Sequence, residues 1–353
     1  MDTLCTVVSD TDLAPRLHPM LPEIVRILNQ MTTEIKYPNY FDFLSDFCKY
    51  YASELSSHIC NMMQTVIQRV FFEQKSYEQK ANDDRSKETF RINKCWNLIR
   101  LIIERPDYAV HLATFEEMLK PLFAFIQKPK EITFEDEIVL CLKQLITKNK
   151  KISPVSWECF KNFPALLEKN KGTFGVMFEC INTYLLEGKE DMNTTNRAEV
   201  TTLAKMASQA LFWKGSGALA KNTEGAILLQ LMFQTMRNTT ACHEIFAELL
   251  GSVKQRMQEQ PMSNMLKKHV LGIFLSTVIY NRQMAMQYFE HQNLTLPLLE
   301  ELIKLYPKFR HQYERQLFVI SISELLQNET LPENLRGVLV KLIETLINIQ
   351  QQL

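Results

Sequence analysis

Residues 131–188 read EITFEDEIVLCLKQLITKNKKISPVSWECFKNFPALLEKNKGTFGVMFECINTYLLEG, and the spacing of their apolar side chains decides the fold. Thr133 stands three residues before Asp136, a spacing that lets the two satisfy each other's free backbone N–H groups and predicts a helix start. Ile138, Cys141, Leu142, Leu145 and Ile146 then recur at helical period, with Glu135, Glu137, Lys143 and Gln144 on the other side. The polar run 147–151 ends this helix with cations, which favour a helix C-terminus. Ser153 and Pro154 predict a restart, since serine caps and proline at the first position gives up no hydrogen bond. Trp157, Phe160, Phe163, Leu166 and Leu167 follow on a helix expected to bend or break at Pro164. A partner helix carries Val176, Met177, Cys180, Ile181, Tyr184 and Leu185, and Gly188 is placed to stop it. The segment therefore reads as one antiparallel helix pair following another.

The same theme runs outward in both directions. Residues 1–12 lack a period and are expected to be a poorly ordered lead-in. Helices are expected from 21 onward after Pro15 and Pro19, over 40–55, 57–77 and 89–105, and around 112–123. After a polar loop at 189–193 they resume over 197–214, 223–236, 241–258, 264–280, 284–290 and 297–305. A long helix with Tyr313, Leu317, Phe318, Ile320, Ile322 and Leu325 inward and a last one from about Pro332 complete the chain. About seven helix pairs and one spare helix, over residues 13–353, predict an all-α fold. The expected form is a HEAT-repeat α-solenoid, a right-handed superhelix of antiparallel helix pairs. A helical bundle of this length would need fewer and longer helices.

Composition narrows the function classes. The chain has 353 residues, of which 46% are hydrophobic and 23% charged, the balance of a folded protein. Only 9 glycines occur, without hairpin turns or a phosphate-cradling loop, which argues against nucleotide-binding α/β sheets and β-sandwiches. Forty basic residues balance forty acidic ones (Lys+Arg 40, Asp+Glu 40), so nothing pulls the chain toward nucleic acid or acidic membranes. No basic segment followed by an apolar run opens the sequence, and no run approaches the roughly 20 residues of a membrane span. The 8 cysteines, Cys48, Cys60, Cys95, Cys141 and Cys180 among them, fall on apolar helix faces and read as buried free thiols. Glycosylation-type triplets at Asn193, Asn238, Asn293 and Asn328 read as chance matches in polar turns.

Read in pairs, the chain resembles the importin-β (karyopherin-β) superfamily, and within it the nuclear transport receptors of the importin-seven and importin-eight kind. Four stretches carry the likeness: the proline-punctuated helix at 13–31 with its partner at 40–55; the long helix at 57–77 with Asp83-Asp84 and the return at 89–105; Ile152-Ser153-Pro154 with Trp157; and 264–289, where Ile279-Tyr280-Asn281 ends a helix. Together they cover most of residues 13–330 and correspond to the C-terminal part of such receptors. The resemblance implies nucleocytoplasmic protein import, with protein cargo and Phe-Gly nucleoporins as partners and residence in cytoplasm, nucleus and pore. The resemblance also admits Ran GTPase as a partner, although such receptors bind it mainly through N-terminal repeats to which these stretches do not correspond. The abrupt start at Met1 and the unpaired last helix give the expectation of a fragment or short form of a longer receptor. A HEAT-repeat scaffold subunit of a stable complex, without transport activity, is the alternative.

Side chains that can do chemistry are dispersed. His18, His58, His111, His243, His269, His291 and His311 fall on different helix pairs, and Cys242-His243 alone puts two soft ligands side by side. The doublets Glu116-Glu117 and Glu300-Glu301 read as solvated helix faces. Lys148, Lys150 and Lys151, with Lys128 and Lys130 one pair earlier, read as helix C-terminal cations. Trp96, Trp157 and Trp213 read as core. No catalytic, cofactor or metal residues are expected, the protein is expected not to be an enzyme, and periodicity alone does not fix which residues bind protein.

Overall fold

In the computed structural model the described residues are 14–34, 37, 39–80, 86–127, 134–237, 239–259, 262–327 and 336–350, and no strand occurs among them. The fold is all-α. Expectations that fall on Thr133, Lys128, Lys130, Asp83-Asp84, Asn238, Asn328, Pro332 and the lead-in 1–12 lie outside the described residues. The main helices are α1 (Leu21–Glu34), α2 (Asn39–Tyr50), α3 (Ile59–Glu78), α4 (Ser86–Glu104), α5 (Leu112–Phe123) and α6 (Glu135–Asn149). They continue as α7 (Pro154–Lys161), α8 (Phe163–Lys169), α9 (Phe174–Glu187), α10 (Arg197–Leu211), α11 (Ala218–Thr235) and α12 (Phe246–Gln258). The last are α13 (Asn264–Tyr280), α14 (Arg282–His291), α15 (Thr295–Leu305), α16 (Gln312–Leu326) and α17 (Arg336–Gln350). The chain divides within α9 into two compact units, Met1–Thr183 and Tyr184–Leu353.

In the first unit α3 and α4 form the most extensive hairpin, and α5 and α6 pack as another. Like packs on like between hairpins: α1 and α5 lie against α3, while α2 and α6 lie against α4. The Tyr40 hydroxyl donates to the Leu28 carbonyl at 2.5 Å and joins α2 to α1. The core is aromatic and aliphatic, with Trp96, Tyr40, Phe47, Tyr108 and Phe115 all buried. In the second unit α11, α13 and α16 form one row and α10 and α12 pack beside it. The row runs parallel: Gln230 bonds the His269 carbonyl, Gln234 bonds Ser276, Lys268 pairs with Glu314 and Ser321 bonds the Leu275 carbonyl.

Local sequence chemistry accounts for most helix ends. Ser153 caps α7 by accepting from the Ser156 N–H at 3.1 Å, with Pro154 in the first turn, as its sequence predicts. Ser263 caps α13 and Asn281 caps α14 in the same way.

Several expectations are corrected. The residue before α6 is Phe134, in left-handed backbone at φ 60°, so Asp136 is the second helical residue and not the third. The break between α7 and α8 comes at Asn162, ahead of Pro164, which sits in the first turn of α8 where its missing N–H is harmless. Gly188 ends α9 as expected, but the loop expected over 189–193 is instead a short helix, with Met192 turned inward. Tyr51 interrupts the helix expected over 40–55. α12 starts at Phe246, so Cys242-His243 lies in a turn and not at a helix start. Tyr313 and Ile320 are 44% and 45% exposed, Tyr313 reaching over to accept from Gln234 of α11 at 2.9 Å, while Leu317, Phe318, Ile322 and Leu325 are buried.

Candidate protein-binding surface

α10 and α12 lie side by side, and the seam between them is a groove of about 220 Å³. Its two walls have the same construction. Thr201, Ala204 with Lys205, and Ser208 recur at one-turn intervals on α10; Ile245, Glu248 with Leu249, and Ser252 do so on and just before α12. Ala204 and Leu249 are buried and form an apolar floor, while Lys205 and Glu248 stand on the rim. The Ser208 hydroxyl is buried without a hydrogen-bond partner in the structure. An apolar floor of one-residue width with scattered polar groups suits a single inserted side chain.

The sequence-derived candidates distribute differently. Trp96 and Trp157 are buried, as core residues are. Trp213 is half-buried in the turn after α10, with the Lys221 ammonium 4.2 Å from its ring centre, so it does not belong to the core. Lys148, Lys150 and Lys151 are all exposed at the end of α6, and Lys150 closes the helix in left-handed backbone at φ 53°. Glu117 pairs with Lys120 on the surface, but Glu116 accepts from both Ser153 and Ser156 and ties α5 to α7. Glu301 is no bare surface charge either: it pairs with Lys267 of α13 and with Lys304.

The seven cysteines among the described residues are all free, and burial pushes their thiols up, to about 12 at Cys48, Cys159 and Cys242. Their thiolates are thereby suppressed at neutral pH. No group of three or more His, Cys, Asp or Glu side chains is placed to hold a metal ion among the described residues. No helix among them is long and apolar enough to cross a membrane.

A feature that apolar patterning did not single out lies between α3 and α4. Glu73, 0% exposed, accepts from Arg69 and from Arg91 at 2.9 Å; Arg91 also reaches Glu88 at 2.7 Å, and Lys80 reaches Glu88 at 2.9 Å. Arg69 further donates to the Thr33 carbonyl at the end of α1. The period itself held the signal. Ile59, Met62, Met63, Val66, Ile67 and Val70 continue at the same spacing into Glu73, and Cys95 leads back to Arg91 and Ile92 to Glu88. The network clamps three helices, so it is a structural device.

Compared with protein-family models, with curated proteins and with solved structures, the chain matches none of them.

Proposed function

We propose that this protein is a non-enzymatic nuclear transport receptor of the importin-β kind, a HEAT-repeat solenoid that binds protein cargo and Phe-Gly nucleoporins in nucleocytoplasmic import. It would shuttle between cytoplasm and nucleus through the pore. The observation that carries the reading is the α10–α12 groove: an apolar slot between neighbouring helices of successive hairpins, sized for one aromatic side chain. The stacking of like helices on like within each unit supports a solenoid, because each hairpin buries its faces on its neighbours. The resemblance of residues 13–330 to receptor C-terminal repeats supplies the partner class. A Phe-Gly-repeat peptide is expected to bind and a Ser-Gly counterpart not to. Thr201→Arg, at the groove's polar rim, should weaken binding about tenfold, since it removes one desolvated contact region worth roughly 1.4 kcal/mol. Equal binding of both peptides by the wild-type protein would sink the reading.

A fixed HEAT-repeat scaffold subunit is the second reading, and one observation favours it. Ion pairs pin helix to helix throughout: Arg100 to Glu137, Lys143 to Glu179, Lys267 to Glu301 and Lys268 to Glu314. A frame so cross-linked suits a static assembly. Absence of Phe-Gly binding together with stable co-purification of one partner would favour it.

A further inference from the structure

A second opening lies elsewhere in the Tyr184–Leu353 unit, where the turn after α11, the α13–α14 junction and the end of α16 converge around a cavity of about 640 Å³. Its wall is held rigidly. The Tyr280 hydroxyl accepts from the Cys242 N–H at 3.1 Å and donates to the Thr239 carbonyl at 3.0 Å, and its ring packs on Phe233 and Phe246. The lining is cationic and rich in donors. Arg237 and Arg282 face a single carboxylate, Glu324, and Arg197 reaches the rim by donating to Thr240 at 2.7 Å.

Those guanidiniums are only partly used. Arg237 pairs with Glu324 at 3.0 Å, and one Arg282 nitrogen donates to the Glu324 carbonyl at 3.2 Å. Each guanidinium carries five N–H donors, so most remain available. Neither Arg197 nor Arg282 pairs with a carboxylate among the described residues. The Nε2 of His243, which lines the same cavity, is buried without a hydrogen-bond partner in the structure. α14 starts here as well, and its first-turn N–H groups at Arg282 and Gln283 have no intrahelical acceptor. The carbonyl ends of α11, α13 and α16 oppose this. Of these, the Glu324 carbonyl of α16 accepts one bond from Arg282, and Arg197, Arg237 and Arg282 set against Glu324 keep the side-chain charge positive.

We infer that this cavity binds carboxylates of an acidic peptide segment. Its volume exceeds what an inorganic anion fills, and Thr239, Asn281 and Gln327 add side chains able to bond a peptide backbone. Single-stranded nucleic acid fits poorly, because Tyr280 is 2% exposed and offers no face for a base to stack on. The site is separate from the α10–α12 groove, so it stands or falls independently of Phe-Gly binding.

The test uses the full chain and a fluorescein-labelled peptide of alternating Glu and Gly, read by anisotropy at low and physiological salt. Gln327 is exposed at the rim and makes no side-chain hydrogen bond among the described residues, so its substitution leaves the clamps intact. Gln327→Glu should weaken binding and Gln327→Lys strengthen it, with about tenfold between them. Arg282→Gln should weaken it about tenfold, the value of one charge-assisted hydrogen bond. Unchanged thermal unfolding of the Gln327 variants keeps the comparison clean. No binding by wild type, equal affinity of the two Gln327 variants, or tighter binding of a Lys-Gly peptide or an oligonucleotide would each overturn the site.

Discussion

The α3–α4 hairpin and the α11–α13 pair do the same mechanical job with opposite chemistry. Between α3 and α4 a buried carboxylate, Glu73, is shared by Arg69 and Arg91. Between α11 and α13 the joint rests on close backbone approach and an amide hydrogen bond. Gly225 lets α11 close on α10, and Gly272 makes room on α13 for the side chain of Gln230, which bonds the His269 carbonyl at 2.7 Å. Ionic clamps repay the desolvation of their charges only when every partner is present. Close backbone approach depends on the absence of a Cβ and tolerates no addition. The two pairs should therefore fail in different ways.

The largest effect is expected at Glu73. Glu73→Ala leaves Arg69 buried without a carboxylate and Arg91 with Glu88 alone, a loss of about 3–5 kcal/mol. Denaturant unfolding measures the total, and hydrogen exchange should show the loss concentrated in 59–104 rather than in 264–280. Replacing Glu73, Arg69 and Arg91 together by apolar residues should cost much less than Glu73→Ala alone. Equal costs would mean that the carboxylate acts through packing, and the contrast between the two pairs would collapse.

This contrast marks how far the sequence reaches. Helix positions follow from period and caps: α13 begins and ends where Ser263 and Asn281 put it. The helix joints were harder to see. Gly188 stops α9 as its residue type predicts, but buried Met192 draws the chain straight into a further short helix where a loop was expected. Glu73 and Arg91 carry the stripe's period but not its hydrophobicity, so a pattern built on apolar residues stops one turn short of them. The α10–α12 groove was illegible for a different reason. Its walls share a period, but which helices become neighbours depends on packing across 40 or so intervening residues, which no local pattern encodes.

The next effect separates the two glycines. A Cβ on Gly225 would stand 2.6 Å from the Ala207 carbonyl oxygen and 2.8 Å from the Leu211 nitrogen, backbone atoms that cannot step aside. Gly225→Ala should cost about 3 kcal/mol from overpacking, offset by about 1 kcal/mol of helix propensity, for a net loss near 2. A Cβ on Gly272 would meet only the end of the Gln230 side chain, at 2.8 Å. Gln230 can swing away and lose one hydrogen bond, about 1 kcal/mol, which the propensity gain cancels. Gly272→Ala should therefore be nearly neutral in urea unfolding. If both variants lose equally, α11 and α13 are as tightly apposed as α10 and α11.

The smallest effect is the pH response of the α13–α16 side. The hydrogen bond from Lys267, reinforced by Lys304, holds the Glu301 carboxyl below its ordinary 4.5. Burial raises Glu314, but the Lys268 hydrogen bond and the His311 and Arg310 N–H groups outweigh it and leave it lowered. Both carboxylates bind protons less readily folded than unfolded, so their contribution is complete above about pH 4.5 and is lost as pH falls through the folded values. His269 titrates earlier. Burial above all, then Lys268 and His311, push its imidazole below the ordinary 6.5 against the pull of Glu314. The unfolded chain takes this proton first, so stability begins to fall as pH drops through 6.5. Because these groups are partly solvated, each step should be small, under about 1 kcal/mol. Urea midpoints for the wild type are expected to fall from pH 7 to pH 5.5, and those of His269→Gln to stay level over that interval while still dropping at pH 4. Parallel curves for the two proteins down to pH 5.5 would assign the early loss to another group and leave Glu301 and Glu314 as the acid-sensitive pair.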